Sequence, residues 1–145
     1  MEQLFKTILC PIDFDENSVA GLEAAVKVAK HNQARLHILH VDPIPLAGEV
    51  GVPMEPYLAS RKETERLARV HVGEAVPYEI HLENGVPAES ILRLAMSLKA
   101  ELIVLATHGR KGLSRLVLGS VAERVVREAP CPVLSVPGAP KHTTG

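Results

Sequence analysis

The chain has 145 residues, 46% hydrophobic and 23% charged, with a formal net charge of -1. That is the size of one ordinary domain with a full core, and the near-neutral balance removes the electrostatic footprint of a protein that grips nucleic acid by its phosphates. No run approaches the roughly 20 apolar residues of a membrane span, and the start MEQLFKTILCPID carries no long apolar leader. A cytoplasmic protein is expected, with no nucleic-acid or membrane partner and a single domain over residues 1–145, its core lying between about residues 5 and 137.

The first apolar run, TILCPI (7–12), is short and nearly continuous, the pattern of a strand covered on both faces of a parallel sheet. From Ser18 the segment SVAGLEAAVKVAKH places Val19, Leu22, Ala25, Val26 and Ala29 at helical spacing, with Ser18 as the predicted N-cap. LHILHV (36–41) predicts a second buried strand. VDPIPLAGEVGVP (41–53), with three prolines and two glycines, reads as a surface connection. A helix is predicted from about Pro56 to Val72.

In VPYEIHLENG, Tyr78, Ile80 and Leu82 alternate with Glu79, His81 and Glu83, as expected of a strand with one polar face at a sheet edge. PAESILRLAMSLK (87–99) predicts a helix with Ile91, Leu92, Ala95 and Met96 on its apolar stripe, Glu89 early and Lys99 late to suit the macrodipole. ELIVLAT (101–107) is a third buried run, and Gly119-Ser120 opens a helix reading SVAERVVREA. PVLSVP (132–137) is bracketed by prolines and reads as the other edge strand. Its Val133, Leu134 and Val136 make an apolar edge that another chain or a loop would cover, and a homodimer through this strand is the natural expectation. The tail, 138–145, reads as frayed. Cys10 and Cys131 form no CxxC pair and read as buried packing thiols.

Strands alternating with helices predict βαβ crossovers and a doubly wound α/β domain with a five-stranded parallel sheet. Ligands in such sheets bind beyond the carboxyl ends of the strands, where strand order reverses. That rule selects Pro11, Ile12 and Asp13 after the first strand, Val41 at the end of the second, and the stretch from Ala106 and Thr107 onward. Asp13 is placed to accept from ribose hydroxyls, although an Asp there also suits a turn or cap. The backbone of Val41 is placed to pair with a base edge, although the residue is equally a core valine.

The stretch ATHGRKGLSRLVLGSVAERVV (106–126) holds neither a GxxxxGK[ST] nor a GxGxxG string. The turn at His108-Gly109 and the helix start at Gly119-Ser120 still suit a phosphate, since glycine lets backbone approach an anion and a helix N-terminus supplies free N–H groups. Arg110, Lys111 and Arg115 add positive charge nearby. The competing reading is an S-x-x-E capping box, Ser120 with Glu123, that satisfies the helix end without a ligand.

The ILCPID start, the GVPAESIL segment and the spacing Ala106-x2-Gly109-x9-Gly119-Ser120 resemble the universal stress protein family, from about Phe5 to Pro137. The resemblance implies the strand order 3-2-1-4-5. It also implies an ATP site, with Asp13 on the ribose, Pro11, Ile12 and Val41 around the adenine, and Gly109, Gly119, Ser120 and Val121 around the phosphates. Mg2+ or Mn2+ would then be held by the phosphates, and a homodimer would form through the last strand. Two positions depart from the family pattern. Ala106 replaces the first motif glycine, which matters where φ is positive or the contact is very close. Phe14-Asp15 follows Asp13 where nucleotide-binding members often have Gly-Ser; a bulky side chain and an extra carboxylate there would narrow the site or repel a triphosphate.

These readings converge on an adenine-nucleotide-binding, dimeric stress-response sensor or regulator. The alternative is a nucleotide-free member serving as a protein-interaction module. No positioned base or nucleophile for fast ATP cleavage stands out, so slow hydrolysis is the most that is expected. A metal centre is not expected, since His37 and His40 lie three apart in a strand, face opposite sides, and are read as lacking a ligand cluster.

Overall fold

The computed structural model describes residues 4–42, 54–107 and 119–138. The elements run β1 (Thr7–Pro11), α1 (Glu16–Asn32), β2 (Arg35–Asp42), α2 (Met54–His71), β3 (Tyr78–Asn84), α3 (Pro87–Leu98), β4 (Leu102–Ala106), α4 (Ser120–Glu128) and β5 (Val133–Val136). All neighbouring strands pair in parallel, in the order β3-β2-β1-β4-β5. The predicted doubly wound α/β fold, its strand order and both predicted edges are therefore observed.

Strand alternation divides the core into two layers. Ile8, Cys10, Leu36, Ile38, Leu102 and Val104 face one way, with Leu22, Ala25 and Ala29 of α1 and Leu67 and Ala68 of α2. Leu9, Leu39, Ile103 and Leu105 face the other, with Ile91, Leu94 and Ala95 of α3 and Ala122 and Val125 of α4. The three continuous apolar runs are thus the three central strands, because only strands buried on both faces need apolar residues at successive positions.

Local details correct several expectations. The N-cap of α1 is Asp15, whose Oδ1 accepts from Ser18 N–H at 2.9 Å. Ser18 sits within the first turn, buried, and its Oγ accepts from the Asp13 amide at 2.6 Å. α2 begins at Met54 and ends at His71, a shift of one to two residues from the predicted bounds. On α3 the buried stripe is Ala88, Ile91, Leu94 and Ala95, while Met96 is 66% exposed. Five residues after Ile91 the helix has turned about 140° past it, so Met96 cannot share its face. The connection after Asp42 and the tail from 139 lie outside the described residues.

Candidate functional site

The carboxyl ends of β1, β2 and β4 open into a cleft of about 540 Å³, the volume range of small-molecule sites. Pro11, Ile12 and Asp13 come from β1 and its exit, Leu39 and Val41 from β2, and Leu105, Ala106 and Thr107 from β4 and its exit. Gly119 and the first turn of α4 close one side, and Asp15, Asn17 and Ser18 of the α1 start close another. The cleft sits between β1 and β4, where successive crossovers take opposite directions along the sheet.

Of the residues selected from the sequence, Pro11, Ile12, Asp13, Val41, Ala106, Thr107, Gly119, Ser120 and Val121 all line this cleft. Gly109, His108 and the cations Arg110, Lys111 and Arg115 lie outside the described residues. Sequence reasoning missed Asn17, Ser18, Pro87 and Ile91 as lining residues. The signal was available in part, because helices that follow strand ends must start at the rim of the same cleft.

Each group has a distinct relation to the space. Ile12 N–H donates to Leu39 O at 2.8 Å, which points the backbone of Leu39 toward β1. Two residues later the amide and carbonyl of Val41 point the same way, but β1 has already ended at Pro11. The Asp13 amide is held by Ser18, while its exposed carboxylate makes no hydrogen bond or ion pair among the described residues. Thr107 is buried and its hydroxyl donates to Val136 O at 3.4 Å, so its polar tip serves β5.

The start of α4 bears on the capping-box reading. Its N-cap is Gly119, and among the described residues no side chain caps it. Glu123 Oε1 instead meets Arg127 Nη1 at 3.4 Å, one turn on, so the expected Ser120–Glu123 capping box is not formed. Helical geometry leaves the first amides directed out of the N-terminus, here beside the cleft lined by Gly119, Ser120, Val121 and Ala122.

The two departures from the family pattern are also resolved. Ala106 has no positive φ, and its position is in phase with Leu102 and Val104, which face α1. Phe14 does not line the cleft; its ring stacks on that of His40 with centroids 4.0 Å apart. His40 in turn reaches Ile12 O through Nδ1 at 3.1 Å and Asp42 Oδ1 through Nε2 at 2.9 Å. Asp15 does line the cleft, but its carboxylate caps α1. The expected narrowing by Phe14 is therefore not observed, because a buried imidazole offers the ring a better surface than water does.

His37 and His40 do face opposite sides of β2, but beside His37 stand two further ligand-type side chains, which the sequence reading did not expect. His37, Glu79 and His81 gather on one face of β2 and β3. Burial, followed by the neighbouring His81, lowers the pKa of His37.

A family model described as the universal stress protein family matches residues 4–137. The chain belongs to the universal stress protein family. A universal stress protein of Methanocaldococcus jannaschii is 38% identical over 144 residues, covering 93% of this chain and 84% of the relative. Among solved structures, the universal stress protein UspA of Lactobacillus plantarum is 27% identical, with a TM-score of 0.75 over 92% of this chain and 98% of its own. A universal stress protein of Archaeoglobus fulgidus, solved in complex with dAMP, shares the fold at 20% identity, with a TM-score of 0.71 over 93% of this chain and 98% of its own. Among the described residues, no helix of this universal stress protein is long and apolar enough to cross a membrane.

Proposed function

We propose that this chain binds an adenine nucleotide, ATP in the first instance, in the cleft at the carboxyl ends of β1, β2 and β4, and acts as a dimeric stress-response sensor or regulator. The observation that carries the reading is the uncapped N-terminus of α4 in the same cleft as the unpartnered carboxylate of Asp13 and the open backbone of Val41. Amides that no side chain among the described residues satisfies favour an anion, and a helix dipole adds to that preference. Asp13 would accept from the ribose hydroxyls, Pro11, Ile12 and Val41 would flank the base, and Gly119, Ser120 and Val121 would meet the phosphates. The dAMP complex of the Archaeoglobus relative supports the same class of ligand on this fold.

The residues fit a nucleotide whose divalent ion is held by its own phosphates and water. This chain's part is to bind and orient: the amides neutralise phosphate charge, and Asp13 fixes the sugar. The dimer would form through β5, where Leu134 is 40% exposed on an edge strand.

The deciding experiment is mass spectrometry of small molecules released on denaturing the purified protein, paired with calorimetric titration of ATP and magnesium. An adenylate in the released fraction or a saturable heat is expected. Neither signal from folded protein would leave the interaction-module reading in its place.

A further inference from the structure

His37 and His81 lie on adjacent strands, away from the nucleotide cleft, and neither lines it. Strand register explains how they meet. His37 of β2 is paired with Glu79 of β3, and Leu39 with His81, so alternation puts His37, Glu79 and His81 on one face. His37 Nδ1 stands 2.9 Å from His81 Nε2 and 3.7 Å from Glu79 Oε2, and one ligand atom from each of the three residues falls within 4.8 Å of the others. His37 is buried at 5% exposure, His81 is half-buried, and the Glu79 side chain is about half exposed at 51%. The cluster therefore has a fixed floor and an open mouth. Two residues farther along β3 the same face is occupied differently, since Glu83 Oε1 is engaged by Arg93 Nη2 of α3 at 2.9 Å.

We propose that His37, His81 and Glu79 form a zinc site on the β2–β3 edge of the sheet, with water in the remaining position. Two imidazole nitrogens and one carboxylate oxygen are a donor set suited to Zn2+ and poorly suited to Mg2+ or Ca2+, which take oxygen ligands. Two nitrogens on one tetrahedral Zn2+ sit about 3.3 Å apart. The imidazoles thus need to separate by a few tenths of an ångström and to tilt toward a common point, since centroids 5.1 Å apart with the nitrogens at 2.9 Å place the facing nitrogens nearly in line. The hydrogen shared between the rings moves to the outer nitrogen of its own ring, which frees a lone pair on each of the two facing nitrogens. Arg35 Nη2 lies 3.8 Å from Glu79 Oε2, with both side chains about half exposed. Such an exposed, solvent-screened pair contributes little, so a divalent ion displaces it.

The test is calorimetric titration of zinc chloride into tag-free, chelator-treated full-length protein, alongside His81→Gln, Glu79→Ala and Arg35→Gln. One zinc per chain is expected, weakened more than about tenfold in the first two variants. Arg35→Gln should bind more tightly than the parent, an effect that a purely structural role for the cluster would not produce. Cobalt substitution should give visible d–d absorption that His81→Gln abolishes. Wild-type protein that takes up no zinc, or uptake that His81→Gln and Glu79→Ala leave unchanged, would overturn the assignment. All three substitutions fall at exposed or half-buried positions, and unchanged circular dichroism will show that the variants are folded.

Discussion

Gly21 of α1 and Ala106 of β4 share one space: a Cβ placed on Gly21 would stand 3.3 Å from Ala106 N and 3.6 Å from Ala106 Cβ. The methyl that this chain carries in place of the motif's first glycine is therefore housed against a helix that lacks one at the matching point. Gly21→Ala ought to gain up to ~1 kcal/mol from helix propensity. It also forces a methyl against the backbone of an interior strand, an overpacking worth about 1–3 kcal/mol. The net expectation is a loss of roughly 1 kcal/mol in urea denaturation. A raised midpoint would refute the close packing of α1 on β4.

Because the Ala106 methyl faces α1, Ala106→Gly should not open the phosphate side. Adenylate affinity is expected to stay within about threefold of the parent by calorimetry, while stability drops by about 0.5–1 kcal/mol for glycine in a strand. An affinity gain of tenfold or more would mean that the methyl does obstruct the ligand.

Asp13 should separate binding from stability. Its carboxylate is exposed, while its amide bond to Ser18 Oγ does not depend on the side chain. Asp13→Ala is therefore expected to weaken adenylate binding by roughly 10- to 100-fold, as for a lost hydrogen bond to a charged group, with thermal midpoint almost unchanged. Equal loss of both would recast Asp13 as a structural turn residue.

Phe14 should show the opposite pattern. Its ring covers His40 and stays out of the cleft, so Phe14→Ala removes a stacked pair worth about 0.5–1.5 kcal/mol. Denaturation should register that loss, and nucleotide titration should not.

The cysteines should differ sharply in reactivity. Burial pushes Cys10 from its ordinary 9.0 up to about 12, and it raises half-buried Cys131 as well. A thiol whose folded pKa is raised keeps its proton in the native state, so Cys10 favours folding below about 9 and loses that contribution as pH rises toward 12. At pH 8 a disulfide reagent is expected to label one thiol of the native chain and the second only after denaturation. Cys131→Ser should abolish the native phase; rapid labelling of that variant would show that the β1 core opens readily.

Much of the fold was written locally. Runs such as TILCPI, LHILHV and ELIVLAT can be satisfied only by strands buried on both faces, while VPYEIHLENG, alternating strictly, could only be an edge. The order of the central strands was implied by the family resemblance, and from it follow the cleft and the placement of Asp13, Val41 and Gly119, because strand polarity fixes which ends converge. What the sequence left undecided were contacts between residues far apart along the chain. Ser18 and Asp15 are both good caps by composition, and only the path of the chain from Asp13 selected Asp15 for the cap and Ser18 for the Asp13 amide. Ser120 and Glu123 have capping-box spacing, yet among the described residues no side chain caps α4 and Glu123 instead meets Arg127. His37 looked isolated because alternation tells which face a side chain takes but not which residue stands opposite it. The pairing of His37 with Glu79 and Leu39 with His81 is set by the packing of whole strands, and that register alone brings the three polar groups together.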